Sequence, residues 1–224
     1  MSAVLFDIDG TLVDSNYLHI EAWTRAFSEL GVPVDAARIH RMIGMDSAKL
    51  LEGALGDRAD ELGDEAKRRH SEYYLGMSDR LRPFAGAREL IAELVDRKVR
   101  VVLATSAPED ELEVLKRVLD VDDLLTDDTS ASDVETAKPE PDVVEAALQR
   151  AGTPASDAVF IGDTRWDAIA AGRAGVECVG VLSGGLSVAE LRDAGATAVF
   201  LDVDQLRESL DIGPLLRLWE SPDR

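Results

Sequence analysis

The stretch Ala3-Val4-Leu5-Phe6-Asp7-Ile8-Asp9-Gly10-Thr11 decides how the rest of the chain is read. Four apolar residues in a row, without the alternation of a half-exposed strand, describe a strand buried on both faces of a parallel sheet. The run ends abruptly at an aspartate. Two carboxylates two positions apart face the same way while the chain is extended, and Gly10 lets the backbone turn directly after the second. One carboxylate of such a pair can attack phosphorus while the other handles protons at the ester oxygen. The plainer alternative is two solvated acids at a strand end.

Outward from this stretch, continuous apolar runs recur at residues 99–104, 158–161, 178–182 and 196–201. Between them lie helical spacings: Leu90, Ile91, Leu94 and Val95, then Leu112, Leu115, Val118 and Leu119, then Val143, Val144, Ala147 and Leu148. Strands alternating with helices predict an α/β fold, a doubly wound Rossmann-like parallel sheet. Residues 15–82 break the alternation. Ile20, Trp23, Phe27 and Leu30 share one helical face until Gly31 and Pro33 stop it, and further helices are expected at 35–43, 47–55 and 59–77. The prediction is an inserted all-helical unit at 15–82, with 1–14 and 83–224 forming the α/β core. The acidic segment 120–133, interrupted by Leu124 and Leu125, predicts a short strand and a surface loop.

The chain has 224 residues, 46% of them hydrophobic, and a formal charge of -20. That balance counts against nucleic acid or an anionic membrane as partner. No apolar run approaches the roughly 18–20 residues that span a bilayer. Residues 1–6 lack the basic start of a secretory signal, and the lone cysteine, Cys178, reads as a small buried residue in a strand; both fit the cytoplasm. A chain this acidic repels anionic ligands, so a phosphate-ester enzyme built on it needs a local cation and locally aimed N–H groups.

Polar residues collect where the strands end. Thr105 and Ser106 follow the run at 99–104, and Asp163 and Asp167 follow the run at 158–161. The carboxyl ends of parallel strands converge on one crevice. Carboxylates gathered there repel one another unless a cation sits among them, and an oxygen-only set without His or Cys favours Mg²⁺ over zinc. Thr105, Ser106 and Pro108 open a helix, which makes an anion site, although ordinary capping accounts for them equally. Lys138 directly precedes Pro139-Glu140-Pro141-Asp142, a helix start whose dipole disfavours a cation. It is a candidate to neutralise a transferring phosphoryl group, or else a surface lysine pairing with Glu135 or Glu140. Asp163 is the candidate direct metal ligand. Asp167, ahead of a helix at 168–174, supports the metal shell or holds Lys138; both acids also suit a plain helix start. His19 sits beside the hinge into the insert, where it can touch substrate or relay closure. His40 and His70 are expected on exposed helical faces, Trp23 and Phe27 in the insert's core, and Trp166 against the insert. Gly184-Gly185 lacks the lysine and helix of a phosphate loop.

These four groups resemble the motifs of the haloacid dehalogenase superfamily in its phosphatase branch, in order and over nearly the whole chain. They are Asp7-Ile8-Asp9-Gly10-Thr11, Thr105 after Val101-Val102-Leu103-Ala104, Lys138 in Ala137-Lys138-Pro139-Glu140-Pro141-Asp142, and Gly162-Asp163 with Asp167. The resemblance implies that Asp7 is the nucleophile and forms a phospho-aspartate. It implies that Asp9 protonates the leaving oxygen and then activates water. Mg²⁺ would be held by the Asp7 and Asp163 side chains and the Asp9 backbone carbonyl, with Gly10, Thr11 and Asp167 in support. Thr105, Ser106 and Lys138 would bind phosphoryl oxygens, and residues 15–82 would be a helical cap. The second acid, Asp9, disfavours dehalogenation and phosphonate hydrolysis. Ile43-Gly44-Met45-Asp46-Ser47 lacks the basic residue a phosphosugar mutase would use for its second phosphate, although Arg41 and Lys49 flank it. The expectation is a Mg²⁺-dependent phosphatase acting on a small phosphorylated metabolite. A phosphosugar mutase, or a non-catalytic binding protein on the same fold, are the other readings.

Overall fold

The computed structural model describes residues 1–133 and 136–219. Among these, the apolar runs form a sheet of β1 (Ala3–Phe6), β2 (Arg100–Leu103), β3 (Asp127–Asp128), β4 (Ala158–Gly162), β5 (Glu177–Val181) and β6 (Ala198–Phe200). The order across the sheet is β3-β2-β1-β4-β5-β6, and every neighbouring pair is parallel. The chain steps from β1 out to β3 on one side, then returns to β4 on the other. That reversal beside β1 opens a crevice at the carboxyl ends of β1 and β4.

The insert comprises α1 (Asn16–Glu29), α2 (Ala36–His40), α3 (Ser47–Leu55) and α4 (Ala59–Leu75). The remaining helices are α5 (Ala87–Asp96), α6 (Glu109–Leu119), α7 (Asp142–Ala151), α8 (Arg165–Arg173), α9 (Val188–Asp193) and α10 (Val203–Glu208). β1 is buried throughout because each of its faces meets a helix layer. Val4 and Phe6 join Leu90, Ile91 and Leu94 of α5, while Ala3 and Leu5 join Val143, Val144 and Ala147 of α7. The insert has an apolar cluster of its own, with Ile20, Trp23 and Phe27 of α1 against Leu50 and Leu51 of α3. Its two ends meet at the core: the Asp14 N–H donates to the Arg82 carbonyl at 2.9 Å, and Phe84 N–H to Leu12 at 2.9 Å.

Two local readings change. The helix expected at 168–174 begins at Arg165, because Thr164 caps it and Asp167 closes a reciprocal capping box. The helix expected at 35–43 stops at His40, where a turn runs to Met45. The short strand expected in the acidic segment is there as β3, two residues long. Cys178 lies buried in β5. Among the described residues no helix is long and apolar enough to cross a membrane.

Candidate active site

Strand ends deliver the acidic side chains. Asp7 follows β1 and Asp163 follows β4, and both are buried, as is Asp167 in the first turn of α8. Their carboxylates offer oxygens that all lie within 4.8 Å of one another. Lys138 reaches into this cluster from the loop before α7. Its ammonium bonds Asp7 Oδ1 and lies 2.7 Å from Asp167 Oδ1. Glu140 is turned away, pairing with Lys49 at 3.0 Å and Arg173 at 2.7 Å. Glu135, the other partner considered for Lys138, lies outside the described residues.

Three carboxylates and one ammonium leave two negative charges in a buried space. Burial and like charge move the pKa values of these groups. Burial pushes Asp7 up to about 7; Lys138 pulls against it, while Asp167 and Asp9 add to it. Burial, then Asp167 and Asp7, hold Asp163 well above the usual carboxylate range. Lys138 is raised: burial acts against its charge, but Asp167 and Asp7 outweigh it. Asn16 Oδ1 is a buried acceptor without a donor, and Asp167 Oδ1 faces the Lys138 ammonium at 2.7 Å. A hard divalent cation fits this donor set, balancing the two charges through oxygen ligands alone.

Asp163 is clamped from three sides. Thr11 Oγ1 donates to Oδ1 at 2.9 Å and Asn16 Nδ2 to Oδ2 at 2.8 Å. Gly10, at φ +75°, packs its backbone so close that a Cβ would stand 2.4 Å from Asp163 Oδ2. Ser183 Oγ donates to the Gly10 carbonyl at 2.6 Å and holds the turn. Asn16 and Ser183 carry no motif that sequence reasoning could have used.

Asp9 is half-buried and its carboxylate stands apart from the cluster. Its Oδ1 accepts from Ser15 Oγ at 2.5 Å and lies 3.2 Å from His19 Nε2. Burial works against its charge, but the His19 charge and hydrogen bond, with Ser15, outweigh burial and lower its pKa. The same pair raises His19: burial opposes its charge, and Asp9 overcomes that. His70, expected on an exposed face, is buried. Its Nε2 lies 3.0 Å from His19 Nδ1 and its ring stacks on Trp23 at 4.1 Å. α4 turns Gly63, Ala66, His70 and Tyr74 inward, a face too weakly apolar to show in the sequence. Burial, then the charge on His19, keeps His70 well below the ordinary imidazole value. His40 is likewise not on an open face: it is half-buried, with Nε2 2.8 Å from the Gly184 carbonyl. Trp166 is half-buried and lines a smaller cavity of about 270 Å³ with His40 and Arg41.

Thr105 is buried one residue past Ala104. Its Oγ1 accepts the Ala107 N–H at 3.0 Å, which leaves the hydroxyl proton free to donate. Thr129, unmarked in the sequence, accepts the Thr105 N–H at 3.1 Å and bonds back to its carbonyl at 2.9 Å. Ser106 is half-buried beside it. Asp7, Asp9, Thr105, Ser106 and Lys138 all line one cavity of about 570 Å³, roofed by the insert. The roof is tied down at Lys138: Asp46 N–H donates to the Lys138 carbonyl at 2.7 Å, and Ala137 N–H to Asp46 Oδ2 at 3.3 Å.

Residues 1–175 match the family described as haloacid dehalogenase-like hydrolase. The chain is 32% identical over 218 residues to a phosphoglycolate phosphatase of Rhodospirillum rubrum, covering 93% of this chain and 90% of that one. It is 31% identical over 204 residues to a phosphorylated carbohydrates phosphatase of Thermotoga maritima, covering 89% and 94%. Of a chloroplastic protein of Arabidopsis thaliana, 32% identical over 213 residues, it spans only 20% of the length. A crystal structure of a hydrolase from Pseudomonas syringae superposes with a TM-score of 0.89 at 33% identity, over 94% of this chain and 98% of that one. With the motif residues gathered at the switch point of the sheet, the chain belongs to the haloacid dehalogenase-like hydrolases.

Proposed function

We propose that this protein is a Mg²⁺-dependent phosphatase that hydrolyses a small phosphate monoester through a phospho-aspartate on Asp7. The observation that carries the reading is the buried cluster of three carboxylates around Lys138, open on one side to a roofed cavity. Asp7 and Asp163, with the Asp9 backbone carbonyl, would hold Mg²⁺, which supplies charge neutralisation beside the transferring phosphoryl group. Asp7 attacks phosphorus; the new O–P bond forms as the ester O–P bond breaks. Asp9 and His19 hold one proton between them, and Asp9 passes it to the leaving oxygen. Asp9 then takes a proton from the water that cleaves the phospho-aspartate, which releases phosphate and restores Asp7. Lys138, the Thr105 hydroxyl and Ser106 meet the phosphoryl oxygens. The helical insert, residues 15–82, acts as a cap that excludes bulk water during the chemistry.

The phosphatase reading is favoured over a mutase by where the flanking cations go. Lys49 is committed to Glu140, and Arg41 lines the smaller cavity rather than the site, so neither waits for a second phosphate. The partner is a small phosphorylated metabolite, and the compartment one that keeps the Cys178 thiol reduced, the cytoplasm. The test is phosphate release from p-nitrophenyl phosphate with Mg²⁺ and with EDTA. Release that Mg²⁺ supports and EDTA abolishes is expected; release indifferent to EDTA would overturn the metal assignment, and none at all the reaction.

A further inference from the structure

One buried acid in the cavity has no part in the chemistry above. Glu111 lies in the first turn of α6, 4% exposed, and lines the same cavity as Asp7 and Asp9. Its Oε1 accepts a hydrogen bond from Ser71 Oγ of α4 at 3.0 Å, so one carboxylate joins a core helix to the cap. Its Oε2 has no hydrogen-bond partner among the described residues, yet it is not sealed off as Asn16 Oδ1 is. The residue lines the cavity, so that oxygen opens on the space a bound ester's alcohol portion would fill.

The neighbours point the same way. Ser47 and Ser71 line the cavity with Glu111, two hydroxyls and an acceptor suited to ligand hydroxyl groups. A carboxylate on the leaving group would meet Glu111 at close quarters and be repelled. Of the cations lining the cavity, Arg68 at the exposed rim is committed to Glu65 and Glu72 and Lys67 is exposed, while His19 and Lys138 inside are engaged by Asp9 and by Asp7 and Asp167. A cavity of about 570 Å³ also leaves room for an alcohol portion of sugar size.

We propose that Glu111 is a specificity-determining residue, whose free oxygen accepts a hydrogen bond from a hydroxyl of the leaving alcohol. The enzyme thereby selects phosphate esters of polyhydroxy alcohols and sugars over esters whose alcohol carries a carboxylate. The inference rests on the phosphatase reading and deepens it. Because Ser71 reaches Glu111 from α4, the subsite is complete only when the cap is seated as it is here.

The experiment compares kcat/KM for a hexose phosphate, glycerol phosphate, phosphoglycolate and the hydroxyl-poor p-nitrophenyl phosphate, in the wild-type enzyme and in Glu111→Gln and Glu111→Ala. Wild type should prefer the hexose phosphate to phosphoglycolate. In Glu111→Ala the ratio of hexose phosphate to p-nitrophenyl phosphate should fall about ten- to a hundredfold, mostly through KM. Glu111→Gln, which keeps an acceptor but loses the charge, should hold most of that ratio and shift selectivity towards phosphoglycolate. A wild-type preference for phosphoglycolate, or a loss in Glu111→Ala shared equally by all esters, overturns the proposal. Should Glu111→Ala not fold, the Glu111→Gln selectivity shift decides alone, and its absence counts against the proposal. Failure of wild type on p-nitrophenyl phosphate itself sinks the phosphatase reading instead, so the two failures are separable.

Discussion

Asp7→Asn exchanges one oxygen for an amide in a buried site and leaves the packing of Phe6 and Ile8 intact. Phosphate release should fall on the order of a thousandfold or more, because the amide cannot form the acyl phosphate. The thermal midpoint should not fall, since the substitution removes an anion that burial disfavours. Retention of a tenth of wild-type turnover in a clean preparation would sink the nucleophile assignment. The same residues set a pH dependence. Asp7 and Asp163 are raised above the ordinary value of 3.8 in the folded state. The stability they contribute is therefore fully present below that value, and for Asp7 it is lost as the pH rises through about 7. A cation that favours the ionised carboxylates acts in the opposite sense. Mg²⁺ should then raise the melting temperature more at pH 8 than at pH 5, read by thermal denaturation against EDTA; equal shifts would place the ion elsewhere. Asp7, Asp9, Lys138 and Asp163 were legible as candidates because each stands at a strand end or against its local helix preference. Asn16 was not, because its meaning lies in a bond to Asp163, 147 residues away. Glu111 was hidden for the same reason, looking like any first-turn helix acid.

At the scale of the element, α8 shows how one residue can serve two structures. Asp167 Oδ2 accepts from the Thr164 N–H at 2.9 Å and from its hydroxyl at 2.6 Å, while Oδ1 lies beside Lys138. The capping box thus aims the carboxylate that steadies the lysine. Thr164→Val keeps the shape but removes the hydroxyl. It should cost about 1 kcal/mol in urea denaturation. It should also lower kcat, because Asp167 is freer to turn from Lys138. A full loss of stability with wild-type kcat would show that the cap and the lysine are uncoupled. The helix expected at 168–174 begins earlier for a related reason: Arg165 and Trp166 carry no apolar periodicity, and Thr164, the residue that caps it, is one common threonine among polar neighbours. α4 escaped in part too. Its extent was legible from its flanks, but the inward face of Gly63, Ala66, His70 and Tyr74 has little hydrophobic signal, so His70 was assigned to solvent. α1 was legible because Trp23 and Phe27 leave no doubt about which side is buried.

The whole molecule carries a charge of -20 while its site must admit a phosphate dianion. Long-range repulsion slows the approach of such a substrate, whereas the contacts proposed to hold it, Lys138 and a bound cation, would act at short range inside a roofed cavity. Salt distinguishes the two ranges. Raising ionic strength from about 10 mM to about 150 mM shortens the Debye length from about 30 Å to about 8 Å, which screens the surface field but little of the buried one. KM for a phosphate monoester at saturating Mg²⁺ should therefore fall over that interval, with kcat little changed. The measurement is initial phosphate release across a series of potassium chloride concentrations, with a bulky, weakly competing anion as a control for occupancy of the phosphate site. A KM that rises steadily with salt would mean that the local positive field reaches past the mouth of the cavity and outweighs the net charge. The charge asymmetry of the chain would then steer the substrate in rather than hold it off.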